Sequence, residues 1–212
     1  MNIRALFEPS VAELQPVEID LSAANERMLG VDLDNRNAFE AFIRNEIATG
    51  GGRCGIGGYL EDRVVYRRSA HYETQESPRS VHLGIDIWLA AGTPVFVPMD
   101  GMIHSCAINA AYGDYGGTII IEHHLEGQPI FSLYGHLSHE SVSRWKVGDS
   151  VRRGSSLGEL GNWDENGNWP AHLHFQLIRD LEGKYGDYPG VCRLEDIEHY
   201  SQNCPNPAAW IV

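Results

Sequence analysis

The chain lacks three things whose absence narrows its function: a long apolar run, a close cysteine pair and an excess of basic residues. No stretch approaches the roughly 20 apolar residues of a membrane span. The opening segment, MNIRALFEPSVAELQPVEID, carries acids and prolines where a secretory signal needs an unbroken apolar core. The expectation is a cytoplasmic protein with no membrane partner, periplasmic or secreted only if a leader was removed. Sixteen Lys and Arg against 29 Asp and Glu leave a formal charge of −13, which argues against nucleic acid or an anionic membrane surface as partner. The four cysteines, Cys54, Cys106, Cys192 and Cys204, form no CxxC pair. A chain of this size does not need disulfides, so reduced structural thiols are expected.

What is present fits a globular, β-rich protein. The 212 residues suffice for one domain, or one domain with a small appendage, and for a substantial core. Residues 1–35 form an extended, acidic, proline-bearing lead-in. In DLDNRNAFEAFIRNEIATGGG, Phe39, Phe42, Ile43 and Ile47 recur at helical spacing. Asp34 or Asn35 can cap that helix and Gly50 to Gly52 can end it. From about Tyr59 the pattern changes to short strands separated by glycine-marked turns. The candidates are RVVYRR, HLGIDIWL, TPVFVP, GMIHSCAI, GTIIIEHH, PIFSLYGHL, DSVRRGSSLGEL and HLHFQLI. SHESVSRW reads as one short helical turn, and the polar tail after Ile178 as a wrapping extension with a short helix near Leu194 to Ser201. Strands this close, with no helices between them, predict antiparallel β structure in two packed sheets or a flattened barrel. The divisions are residues 1–58, an extension with one helix; 59–180, the β domain; and 181–212, the tail.

The chemistry concentrates in three motifs. In HLGID, His82 and Asp86 lie four apart on an extended segment and share a face, with Gly84 leaving room for a close neighbour. In HLHFQL, His172 and His174 share one face of a strand while Leu173 and Phe175 take the other. In YGHL, His136 ends a strand, where a side chain can project into a cleft. A catalytic zinc site wants three protein ligands and one open position. His82, Asp86 and one of the paired histidines supply that number. Spacing alone leaves metal ligation and ordinary packing equally open. The adjacent His123 and His124 face opposite sides of a strand, and His71, His104, His139 and His199 lack partners in sequence. Surface or structural roles are expected for these six.

HLGIDIWLAAGTPVFVPMDGMI, YGDYGGTIIIEHH, YGHLS, VGDSVRRGSSLGELG and AHLHFQL, in this order from about Val81 to Ile178, resemble the lysostaphin/LytM-type zinc metalloendopeptidases, and among them the leaderless members. The resemblance implies a mainly β fold, a two-sheet antiparallel barrel-sandwich of duplicated hybrid motifs, here with an N-terminal helical extension. It implies Zn²⁺ held by His82, Asp86 and His174, with His172 as catalytic base and His136 as the second catalytic histidine. The implied activity is hydrolysis of peptide bonds by attack of zinc-bound water, on a peptide or a peptidoglycan fragment. The sequence departs from the wall-cleaving members in ENGNWPA before HLHF and in Gln176 where an acid is usual. Trp163 and Trp169 are expected near the cleft mouth.

Three other readings share parts of this pattern. A sugar-phosphotransferase carrier has an HxGID-like stretch and needs two facing histidines, but has no use for an HLH pair and an aspartate. A lipoyl- or biotin-type module needs a lysine at the MDG turn, where Asp100 stands. A latent or non-catalytic zinc module would use the acidic N-terminal region as a cover, with Glu61 and Asp62 as plugs. The sequence carries no information on oligomeric state.

Overall fold

A computed structural model describes residues 3–28, 30–68 and 78–211, so His71 lies outside the described residues. The strands are β1 (Pro16–Ile19), β2 (Cys54–Gly57), β3 (Val81–His82), β4 (Ile85–Trp88), β5 (Pro94–Phe96) and β6 (Gly101–Asn109). They continue with β7 (Gly116–Leu125), β8 (Gln128–Leu137), β9 (Ser150–Val151), β10 (Ser156–Glu159), β11 (His172–Ile178) and β12 (Val191–Cys192). The α-helices are α1 (Arg36–Thr49), α2 (His139–Ser143) and α3 (Ile197–Asn203). Eight strands form one sheet in the order β1-β2-β4-β11-β8-β7-β6-β9, and β10-β5 and β12-β3 form two small ribbons. The mainly β expectation holds. No described helix is long and apolar enough to cross a membrane.

Among the described strands, pairing is antiparallel except between β1 and β2, which run parallel. The helix α1 lies between these two strands in sequence, and that crossover permits parallel pairing. Asn35 caps α1 by accepting a hydrogen bond from the Ala38 N–H, and Phe39, Phe42 and Ile43 form its buried stripe. The stripe packs with Ile19, Leu21, Trp88 and Trp169, so the N-terminal extension is fastened to the sheet by shared apolar burial.

RVVYRR is not a strand; Val64–Arg68 is a 3-10 helix. Val65 and Tyr66 are both buried in the α1 cluster, which alternation along a strand forbids. The wrapping tail contains α3, preceded by a 3-10 turn at Leu194–Asp196. All four cysteines are free.

Candidate active site

The strand β11 lies between β4 and β8. Its Leu173, Phe175 and Leu177 point into the main core with Ile85, Ile87 and Tyr134. The other face of β11 carries His172, His174 and Gln176, all buried. Register places His174 opposite Asp86 on β4 and opposite Gly135 on β8, and His172 opposite Trp88. The face that alternation removes from the apolar core is therefore the face on which the polar groups meet.

His136 reaches the same place by a backbone irregularity. Alternation from the core residue Tyr134 would turn His136 inward. Instead it has φ 65°, in the left-handed region, and the β7–β8 register slips by one residue between Gly117 and Ile119. The twist brings the His136 ring to 4.1 Å from the His172 ring, centroid to centroid.

Hydrogen bonds fix the tautomer of every histidine here. His82 Nδ1 donates to the Gly58 carbonyl at 2.9 Å, His172 Nδ1 to the Pro170 carbonyl at 2.7 Å and His136 Nδ1 to the Asn166 carbonyl at 2.8 Å. A carbonyl can only accept, so the Nε2 of each ring is a bare lone pair. His174 is turned the other way. Gln176 donates its amide N–H to the Pro189 carbonyl, presenting Oε1 to His174 Nε2–H at 2.9 Å and leaving His174 Nδ1 bare.

Three acceptors consequently converge. His82 Nε2 is 2.9 Å from His174 Nδ1, and Asp86 Oδ1 is 3.2 Å from the first and 3.1 Å from the second. Three lone pairs facing one another without a donor repel unless a cation lies between them. Tetrahedral ligands at the ~2.0–2.1 Å of Zn–N and Zn–O bonds stand about 3.3 Å apart, and the observed spacings fall within a few tenths of an ångström of that. The donor set therefore fits a divalent metal, with His82, Asp86 and His174 as its group of candidate ligands. Gly84 makes the closeness possible: a Cβ there would stand 2.7 Å from His174 Cε1 and 2.8 Å from the Phe175 carbonyl oxygen.

Arg63, which sequence reasoning passed over, closes the other side of Asp86. Its Nη1 is 2.5 Å from Asp86 Oδ2 and 3.3 Å from the Tyr66 hydroxyl, and its Nε is 2.6 Å from Glu61 Oε2. The side chain is 1% exposed. Its Nη2 is, among the described residues, the one buried side-chain nitrogen or oxygen without a partner. Arg63 thus occupies one carboxylate oxygen of Asp86 and leaves Oδ1 for the converging group. Nothing in the local sequence marks it, because its partner is 23 residues away. Glu61 is not a plug: Oε1 accepts from the Leu21 N–H at 2.9 Å while Oε2 holds Arg63.

Burial dominates the electrostatics. It lowers the pKa of His82 to about 4, with Arg63 adding to the effect, and holds His136 well below the ordinary histidine value, with His172 and His174 adding. It also lowers His172, against the opposing pull of Asp86. Burial alone would raise the Asp86 carboxyl, but His82, Arg63 and His172 hold it well below the usual carboxylate range. The pair that can exchange protons, His136 and His172, is therefore neutral at pH 7.

A cavity of about 170 Å³ opens over these groups, and Asp86, His136, His172 and His174 all line it. Trp169 lines it too, but Trp163 does not; Trp163 lies under the Arg36 guanidinium at 5.6 Å. His123 is buried elsewhere, between the Asp100 carbonyl and the Ser132 hydroxyl, and His124 is exposed. His104 packs against Phe131, and His199 sits 3.0 Å from Glu182.

Comparison with known proteins follows the same residues. The model of peptidase family M23 matches residues 80–187, about half the chain. The chain is 33% identical over 97 residues to the peptidoglycan DD-endopeptidase ShyA of Vibrio cholerae, a match covering 46% of this chain and 20% of that protein. It therefore spans about a fifth of that curated relative. Among solved structures, the catalytic domain of a variant of the prophage-encoded M23 protein EnpA from Enterococcus faecalis aligns at 21% identity and TM-score 0.41, covering 53% of this chain and 79% of that one. The catalytic domain of lysostaphin from Staphylococcus simulans aligns at 22% identity and TM-score 0.39, covering 57% and 80%. HLGID, YGHL and HLHF all fall inside the matched stretch, and the chain belongs to peptidase family M23.

Proposed function

We propose that the protein is a zinc-dependent endopeptidase acting on peptides of the kind found in peptidoglycan. The observation that carries this reading is the convergence of three lone pairs, His82 Nε2, Asp86 Oδ1 and His174 Nδ1, with no donor among them. Family membership and the match to a peptidoglycan endopeptidase support it.

Zinc held by these three side chains would supply Lewis acidity and lower the pKa of a bound water toward about 7. The protein's own part is to hold and move protons. His172 is the better base of the two neutral histidines. Its Nδ1–H is fixed by Pro170, its Nε2 is bare, and Asp86 Oδ1 at 3.8 Å stabilises the positive charge that a captured proton creates. His136 resists protonation more strongly, so its bare Nε2 serves to accept a hydrogen bond and orient the attacking water. Once protonated, His172 can return the proton to the leaving amine. Trp88 stacks on the His172 ring at 5.5 Å and keeps it in plane for both transfers.

The test separates ligand from base. His174→Ala should lose zinc, measured by metal analysis after gel filtration. His172→Ala should retain about one zinc while losing turnover of Ala- and Gly-containing wall peptides by a factor of about 10² or more. Equal zinc content in the two variants would refute the division of roles.

A further inference from the structure

About half of the residues around the cavity over His136 and His172 come from chain that the family model does not cover. Leu21, Phe39, Val65 and Tyr66 come from before residue 80, and Tyr188 and Val191 from after residue 187. These side chains are at most 6% exposed. Their packing is fixed: Phe39 and Tyr66 both stand edge-on to Trp169, at 6.4 and 6.0 Å. The Trp169 ring is in turn 6.4 Å from both His136 and His172. An apolar, aromatic surface therefore adjoins the proton-transferring pair in a cavity that Arg79, Asp114, Lys184 and Asp187 also line.

Two consequences follow for the substrate. The volume, about 170 Å³, lies below the roughly 300–1,000 Å³ of ordinary ligand pockets. The four polar groups at its floor are each 5% exposed or less. A strand held inside a cross-linked polymer must continue past the scissile bond on both sides, and such a strand needs an open groove. A short free peptide needs only a recess. The recess also offers aromatic surface, which glycine cannot use and a side chain such as Leu or Phe can.

We infer that this enzyme takes short, free peptides, including released wall fragments, and seats an apolar side chain next to the scissile bond against Phe39, Tyr66 and Trp169. It does not take cross-links within intact polymer. This inference rests on the peptidase reading proposed above and adds the substrate's size and side chain.

The test compares three substrates with the zinc-loaded full chain: soluble two- to four-residue peptides with Leu or Phe beside the scissile bond, the same peptides with Gly there, and intact cross-linked peptidoglycan. Expected are a preference of about tenfold or more for Leu or Phe over Gly and no soluble fragments from the polymer. Phe39→Ala, which opens the wall away from the proton-transferring pair, should reduce the Leu/Gly ratio mainly through KM and admit longer peptides. Phe39→Leu should restore the ratio. Release of fragments from intact polymer as fast as short peptides are cut, or equal turnover of the Gly peptides, would overturn the inference while leaving the peptidase reading in place. Cleavage of none of the three by zinc-loaded protein would overturn both. The wild-type comparison decides the matter even if the Phe39 variants do not fold.

Discussion

Arg63→Met removes the guanidinium that pairs with Asp86 and keeps most of the side chain's length. Two carboxylates lose their partner, Asp86 at 2.5 Å and Glu61 at 2.6 Å. Their side chains are 5% and 14% exposed, so water can compensate little at the first and somewhat more at the second. Breaking a buried pair by deleting one partner typically costs about 3–5 kcal/mol. Deleting Nη2, which has no acceptor, offsets a part of that, about 1–3 kcal/mol on the usual scale for an unsatisfied donor. At mid-range, about 4 less about 2 kcal/mol, the expected loss is therefore about 2 kcal/mol, a substantial share of the roughly 5–15 kcal/mol that stabilises a domain. Urea unfolding of metal-free wild type and variant at pH 7 measures it, as a shift in midpoint at constant slope. The deficit also has a pH signature. Asp86 in the wild type has a depressed pKa, so its contribution is present above the unfolded value of ~3.9 and is lost as pH falls through the folded one. Without Arg63 that depression shrinks, so the deficit is full at neutral pH and narrows below about pH 4. Arg63→Lys should recover only part of the loss, because one ammonium cannot span both carboxylates as the guanidinium does. A loss under about 1 kcal/mol at pH 7 would refute the buried-bridge argument.

Gln176→Leu leaves His174 Nε2–H without an acceptor and frees its tautomer; zinc affinity, measured by chelator competition, should fall by about 10- to 100-fold. Gly84→Ala forces a Cβ against the Phe175 carbonyl and the His174 ring, so a stability loss of about 1–3 kcal/mol together with weaker zinc binding is expected, and normal zinc affinity would contradict the close-approach argument. Metal-free protein should lose stability on mild acidification. The pKa of His82 falls from 6.5 unfolded to about 4 folded, so its contribution is intact above pH 6.5 and declines by roughly 3 kcal/mol as pH drops to 4. Denaturant midpoints across that range check this, and His82→Asn should flatten the slope.

The parts of the molecule legible in the sequence were those governed by local rules. The α1 helix follows from the spacing of Phe39, Phe42 and Ile43, and its start from the capping geometry of Asn35. The shared face of His172 and His174 follows from strand alternation, and Gly84 announced a close approach that His174 in fact makes. What could not be read depends on distant partners. RVVYRR has strand-forming residues, yet Val65 and Tyr66 must both turn toward α1, and only tertiary packing dictates that. Arg63 meets Asp86 through the fold alone. The left-handed His136 was also invisible, since the slip that rotates it is a property of the β7–β8 pair. The role of Gln176 was hidden because the residue appeared only as a departure from an expected acid. Its amide proves to set the His174 tautomer from Pro189, thirteen residues on.

The anchors of the converging donors are spread from Gly58 to Cys204, about two thirds of the chain. Gly58 orients His82, Arg63 holds Asp86, and Gln176, which orients His174, itself leans on Pro189 and on the Cys204 sulfur at 3.4 Å. Cys204 in turn receives the Tyr59 hydroxyl on its carbonyl at 2.6 Å, tying the two ends of this set together. During synthesis, which proceeds at roughly 5–20 residues per second from the N-terminus, β4 is made long before these last supports emerge. The candidate metal site is therefore among the last parts of the molecule to be completed, and a nascent chain stopped short of Cys204 carries the donors without the geometry.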